Sequence, residues 1–348
     1  MSTKFDRFCL SSCLAFRYVT VSGKSWKKGL APEYPHVELA EQIAVGTAGE
    51  VDEALAKLLG FIAKQPGVAV LLSGGIDSAI VASYMPKGTL AITIDFEAEG
   101  AVGESVAASR YAEKMGLDHR IVKVSWDDYQ GTMDGLMRRK NAPLHAVEPA
   151  LFKAASYAAS QGVDTLVLGN GADSTFGGLD KLLSRDWTFD DFVRRYTFVD
   201  PTKALKEPVD ILKIYEPYRT PDGIDFIAFL KTVHGLGIVQ AFGNAIGAAG
   251  CKTAQPFEDL KLNHPLDLTR IRAGESKYIL RELFSRRYDG MKPAEKIPFA
   301  RPMDQWLKDW RGPRREEFLS PFPVAAFTGD QKWIIYCLER FLNLAETL

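Results

Sequence analysis

Five consecutive apolar residues, Val68 to Leu72, run directly into Ser73-Gly74-Gly75-Ile76-Asp77-Ser78, and this junction constrains the fold more than any other stretch of the chain. The apolar run is too short for a helix and shows no alternation, which is the pattern of a strand buried on both faces of a parallel sheet. Helical spacing follows the polar hexapeptide: Ala79, Ile80, Val81, Tyr84 and Met85 precede a break at Pro86, and Leu90 to Phe96 form a second apolar strand. Strand, glycine-containing turn, helix and strand make a βαβ unit.

The alternation extends to both sides. Val51, Leu55, Leu58, Leu59 and Ile62 recur at helical spacing before the first strand. Beyond the second, residues 104–115 read as helix, 120–124 as strand, 149–159 as helix and 165–168 as strand. The predicted class is α/β, an open, mostly parallel sheet with flanking helices. Past Gly178 the strand pattern stops, and the rest reads as helices and loops punctuated by Pro201, Pro208, Pro217 and Pro221. The spacing thus predicts a short N-terminal extension over 1–50, built of strand and loop; an α/β core over 51–180; and a mainly helical part over 181–348.

Composition removes several function classes. Lys plus Arg at 43 against Asp plus Glu at 44 leaves a net charge of -1, so no overall field draws the chain onto nucleic acid or an anionic membrane. The four cysteines, Cys9, Cys13, Cys251 and Cys337, and the five scattered histidines show no zinc-ligand spacing and read as reduced, mostly buried thiols. Charges at Lys4, Asp6, Arg7 and Arg17 break any signal-peptide core, and every apolar run is interrupted, so no membrane span and a cytoplasmic location are expected.

In open α/β sheets ligands bind at the carboxyl ends of the strands, where the first turn of a helix offers unpaired N–H groups. Gly74 and Gly75 let backbone approach an anion, Ser73 and Ser78 can donate hydrogen bonds, and Asp77 can hold a divalent cation. Neither GxxxxGK[ST] nor GxGxxG follows this strand, which counts against P-loop hydrolysis and dinucleotide binding.

The SGGIDS hexapeptide resembles the pyrophosphate-binding loop of the PP-loop ATP pyrophosphatases, which cleave ATP to AMP and pyrophosphate and include asparagine, NAD and GMP synthetases and tRNA-thiolating enzymes. Later stretches narrow the likeness. Glu104, Ala108, Ala112, Gly116 and His119 fall at the spacing of the asparagine synthetase DExxxAxxxAxxxGxxH helix, with Gly103 in place of the leading Asp. Val167 to Gly178 is similar to SGEGADELFGG, Gln255 to Asp259 to RxPFLD, Lys277 to Arg281 to KxxLR, and Lys296 to Phe299 with Trp306 to RxKxxFxxxxxxW. The likeness to the synthetase domain of asparagine synthetases spans about Val51 to Trp306 and is poor over 180–235.

The resemblance implies an adenine nucleotide alpha hydrolase-like fold that uses ATP and Mg²⁺ to adenylate a carboxylate, release pyrophosphate and pass the acyl group to ammonia or an amine. It places Leu72, Ile94 and Gly169 against adenine and Ser73, Gly74, Gly75, Asp77 and Ser78 around the phosphates. Asp77 and Asp173 become the Mg²⁺ ligands and part of the catalytic set, and Lys296 neutralises charge that builds in the transition states. Two alternatives stay open: adenylation followed by sulfur transfer, and an idle nucleotide-binding or scaffold protein.

Two departures bear on the substrate. Ser2, not a catalytic cysteine, follows Met1, and the roughly 50 residues before the βαβ unit leave no room for a glutaminase domain. Nitrogen is then expected from free ammonia, a separate donor protein or an amine on the substrate, as in the related β-lactam and lasso-peptide cyclases. Asn170 and Ser174 stand where GEGADE carries its two glutamates, so the expected acyl substrate is a small-molecule carboxylate other than free aspartate, with a base drawn from elsewhere; Asp180, Asp186 and Asp190 are available.

Overall fold

The computed structural model describes residues 4–34, 42–99, 103–294 and 301–347. Its centre is a five-stranded sheet formed by β1 (Val68–Leu71), β2 (Leu90–Phe96), β3 (Asp118–Val124), β4 (Thr165–Val167) and β5 (Lys252–Ala254). Every pairing is parallel and the spatial order is β3-β2-β1-β4-β5. The βαβ unit is present as read, with α3 (Ile76–Ala82) crossing between β1 and β2.

Side chains of the central strands alternate between two apolar layers, as a strand period of two requires. Ala69, Ile92, Val122 and Leu166 belong to the layer beneath α5 (Trp126–Lys140), α6 (Glu148–Ser160), α8 (Gly235–Ala248) and α10 (Gly329–Ala345). Val70, Ala91 and Val167 face the opposite layer, with α2 (Ala48–Ile62), α3, α4 (Ser105–Met115) and α9 (Tyr278–Arg287). With both faces covered, the central strands lack the polar alternation of a half-exposed sheet.

Three expectations need correction. Strands do not stop at Gly178: β5 pairs with β4 through Thr165↔Lys252 and Val167↔Ala254, and 260–262 pairs with 43–45. Three residues with the composition Lys-Thr-Ala carry neither an apolar run nor an alternation, so the pairing is tertiary in origin. The N-terminal segment is more than strand and loop, for beside the strand at 43–45 it holds α1 (Arg7–Phe16), capped by Asp6 and packed against α10. Every residue from Cys9 to Phe16 is buried, and a helix buried all round has no amphipathic period to read. Finally, not every apolar stretch is short: among the described residues one helix, Phe226–Ala248, is long and apolar enough by length and composition alone to cross a membrane. It contacts α5 and α6, and its Asn244 is buried and bonded to Glu148.

Glu148, at the start of α6, is fully buried together with its partner Lys140. The carboxylate also accepts from the His145 backbone N–H at 2.6 Å and from Asn244 Nδ2 at 2.6 Å. Removing one member of such a set strands a charge out of water, so Glu148→Ala should lower the unfolding free energy by about 3–5 kcal/mol. Glu282→Gln, which breaks the exposed Arg286–Glu282 pair, should change it by less than about 1 kcal/mol. Urea titration of both variants checks the contrast, and equal effects would contradict it.

Candidate active site

The strand order reverses between β1 and β4, and their carboxyl ends feed the turns at 72–75 and 168–171. A crevice outside such a switch point is the expected ligand site of an open parallel sheet. A cavity of about 400 Å³ opens there. Leu72, Ser73, Asp77, Ser78, Ile94, Gly169 and Asp173 all border it. The two turns are pressed together, since a Cβ on Gly169 would lie 2.6 Å from the Ser78 nitrogen. Gly74 and Gly75 stand behind this wall; Gly74 backs onto Glu104 and Ala107, and Gly75 caps α3.

The turn holds its own shape. Ser73 Oγ and Ser78 Oγ are 2.8 Å apart, the Ser73 N–H donates to Ser78 Oγ at 3.0 Å, and the Gly75 N–H donates to Ser73 Oγ at 3.1 Å. The serine hydroxyls therefore fix the loop before any ligand arrives. His119, the last residue of the DExxxAxxxAxxxGxxH-like stretch, supports the same wall indirectly. It bonds Thr93 Oγ1 at 2.7 Å, and Thr93 Oγ1 donates to the Leu72 carbonyl at 2.6 Å.

Asp77 lies in the first turn of α3 and Asp173 in the first turn of α7 (Ala172–Phe176), and both meet the ammonium of Lys277. Lys277 Nζ is 2.6 Å from Asp173 Oδ1, and its side chain is only 7% exposed. Burial works against the charged lysine, but the two carboxylates outweigh it and push its pKa up. Gly178 makes the arrangement possible: a Cβ there would fall 1.9 Å from Asp173 Oδ1 and 2.0 Å from Lys277 Cε. Lys277 sits in the KxxLR stretch, but the sequence offered no signal that its side chain would join the two acids.

Two carboxylates converging on one positive centre at a cavity wall make an oxygen-donor set suited to a hard divalent cation that also takes phosphate oxygens. Among the described residues no group of three or more His, Cys, Asp or Glu forms a closed metal cage. Lys296 lies outside the described residues. Trp306 of the same motif is packed against Phe96, Trp126 and Tyr129.

The acids offered by the sequence as a replacement base are not at the cavity. Asp180, Asp186 and Asp190 do not line it; Asp186 is held at the surface by Arg272 at 2.8 Å. Asn170 donates to Gln255, and Ser174 Oγ donates to the Gly171 carbonyl at 2.9 Å. Glu258 borders the cavity beside them, so close to Gly171 that a Cβ there would stand 2.8 Å from its carboxyl carbon. Burial, with help from Asp259, pushes the Glu258 pKa up. Glu258 occupies the Leu position of the RxPFLD-like stretch, so the motif itself hid the residue.

Glu104 completes the wall. Burial and the nearby Asp95 raise its pKa to about 7, against the lowering effect of the Gly74 N–H. At neutral pH the carboxyl is therefore partly protonated and repels incoming phosphate less than a full anion would.

Residues 51–220 match the asparagine synthase family model. That segment of the chain is thus similar to an asparagine synthase domain. Within curated proteins, this chain is 29% identical over 131 residues to amidase chry2 of Gibberella zeae and 28% identical over 131 residues to amidase chyE of Penicillium rubens. Each match covers 32% of this chain and 20% of the relative, so it spans a fifth of the length of those proteins. Among solved structures, U34-tRNA thiolase NcsA from Methanococcus maripaludis aligns over 85% of this chain and 79% of its own at 16% identity and a TM-score of 0.30. NMN synthetase from Francisella tularensis aligns over 73% and 100% at 14% identity and a TM-score of 0.28. Superpositions this loose do not bear on the chemistry of residues 51–220.

A carboxyl whose folded pKa lies above its unfolded value has its full stabilising share below the unfolded value and loses it as pH rises through the folded one. For Glu104 the loss runs from about pH 4.5 through about pH 7. Glu104→Gln should therefore melt close to wild type near pH 4.5 and above it at pH 8. Parallel melting curves across that range for the two proteins would contradict the assignment.

Proposed function

We propose that this chain is an ATP-dependent amide synthetase: it adenylates a carboxylate, releases pyrophosphate, and transfers the acyl group to ammonia or an amine. The observation that carries the reading is the convergence of Asp77 and Asp173 beside a preorganised SGGIDS turn at the switch point. In the first step a substrate carboxylate oxygen attacks the α-phosphorus of ATP, the bond to the bridging oxygen breaks, and pyrophosphate departs. In the second an amine nitrogen attacks the acyl carbon, the acyl–oxygen bond breaks, and AMP leaves.

Both steps build negative charge on oxygen, so preorganised cations and donors contribute more than a nucleophile. Asp77 and Asp173 would hold Mg²⁺, which when bound neutralises phosphate oxygens. Lys277 keeps the two carboxylates aimed at one point, and Lys296 is assigned to the charge that develops on the reacting centre. The attacking nitrogen must lose a proton, and Glu258 is the cavity acid placed to accept it in the absence of the glutamate replaced by Asn170. Its raised pKa brings it closer to the range useful to a general base.

Sulfur transfer is the weaker reading, because no cysteine lines the cavity and all four are buried, with burial raising their thiol pKa values. Four buried free thiols also support the cytoplasm as the site of action. The substrate is taken to be a small molecule, with nitrogen supplied as ammonia, as an amine or by a separate donor protein.

Pyrophosphate release from ATP and Mg²⁺ with a panel of carboxylic acids, with and without ammonia, tests the reading. Asp77→Asn and Lys277→Ala should each lower acid-dependent release by about 10²-fold or more. Near wild-type release by the Asp77 variant would sink the loop assignment, and no release by wild type with any acid would favour an idle nucleotide-binding protein.

The two lysine and glutamate roles separate kinetically. Lys296→Ala should lower kcat by about 10²-fold with little change in the KM for ATP. Glu258→Gln should slow amide formation by about 10²-fold while leaving carboxylate-dependent ATP–pyrophosphate exchange close to wild type. Loss of exchange in the Glu258 variant would instead place that residue in nucleotide binding.

A further inference from the structure

A second cavity of about 440 Å³ adjoins the first, and His234 lines both. His234 closes a π-helical turn, Leu230–His234, which interrupts the apolar helix; such turns are frequent at functional sites. Asp173 lines the first cavity and Arg17 the second, with His234 common to both.

Arg17 lines this second cavity. It ends α1 in the left-handed conformation at φ 70, a position that turns the chain sharply away from the helix. The half-buried guanidinium lies 3.1 Å from His145 Nε2 and 4.8 Å from the centre of the Phe198 ring. Those partners carry no negative charge. Among the described residues no carboxylate forms a salt bridge with Arg17, and the nearby Asp330 is already held by Arg301 at 2.9 Å. Burial keeps the neighbouring imidazoles neutral, with His234 pushed down to about 4 and His145 well below its ordinary value. Arg195, exposed at the cavity wall, likewise has no acidic partner among the described residues, whereas Arg194 is taken by Asp191.

A half-buried guanidinium without a salt-bridge partner of its own is costly to maintain, and its planar fork matches a carboxylate in two parallel hydrogen bonds. We propose that this cavity is the acyl-substrate subsite and that Arg17, with Arg195 at the wall, takes a carboxylate of the substrate remote from the one that is activated. The substrate class is then a dicarboxylic acid. This rests on the adenylation reading above but uses a residue outside the matched 51–220 domain.

Calorimetric titration with glutarate, suberate and their monomethyl esters tests the inference, using full-length protein with and without α,β-methylene-ATP. Wild type should bind at least one diacid about 10-fold more tightly than its monoester, the sign of a second charge being read. Arg17→Gln should reduce that preference to less than 2-fold with nucleotide affinity unchanged, and Arg17→Lys should keep only part of it. Because Arg17 is half-buried, Arg195→Gln provides a variant that does not touch the interior; it should weaken the diacid by a smaller factor and leave the monoester unaffected. Equal binding of diacid and ester by wild type, no diacid binding at all, or a preference untouched by both substitutions would overturn the subsite. A wild type that binds no nucleotide yet keeps an Arg17-dependent diacid preference would overturn the adenylation reading and leave the subsite standing.

Discussion

One carboxylate without solvent contact, Glu148, ties together the half of the molecule that walls the cavities. Its oxygens accept from three donors, at the end of α5, in the turn before α6 and on α8. A buried charge is tolerated only when it is so completely bonded, and a network of this kind fixes one arrangement of the surrounding elements. The 141–147 turn brings His145 and Val147 to the first cavity, and His145 in turn contacts Arg17. The geometry of both cavities therefore leans on a group that touches neither ligand position proposed for them.

On the opposite side of the sheet the governing contact is the Lys277 ammonium shared by Asp77 and Asp173. Without a positive centre the two acids would repel each other at close range, and the turn carrying Asp173 would have no reason to stay against α3. The lysine thus does for the protein alone what a cation with phosphate would do in the complex. The contact is also crowded enough to demand glycine at 178, which explains why a pair of glycines follows Phe176 in the second turn.

The βαβ unit, the parallel class and the turns at 73–78 and 169–173 were legible because each depends on local pattern: an apolar run, a glycine pair, a helical period. What could not be read arises from contacts distant in sequence. Strand β5 owes its existence to β4, α1 is buried on every side, and Glu258 hides under a family motif that expects leucine. Lys277 was visible as a motif residue, yet the 200 positions separating it from Asp77 gave no hint of their contact. Arg17 lay in a segment read as a mere extension. The apolar stretch at 226–248 is a different case: Lys231, His234 and Asn244 interrupt it, but too sparsely to bring its mean hydropathy below that of a membrane-spanning helix.

The fifth strand has a practical meaning for anyone dissecting this protein. The family match ends at 220, whereas the strand that covers β4 begins at 252. A recombinant fragment cut at the match boundary would leave the backbone groups of β4 bare along a flat, apolar border, a template for sticking to other copies. It would also lose the helix that supplies Asn244 to Glu148. The boundary drawn by sequence similarity is therefore not the boundary of a folding unit, and insolubility of such a fragment would report on where it was cut, not on the behaviour of the intact chain.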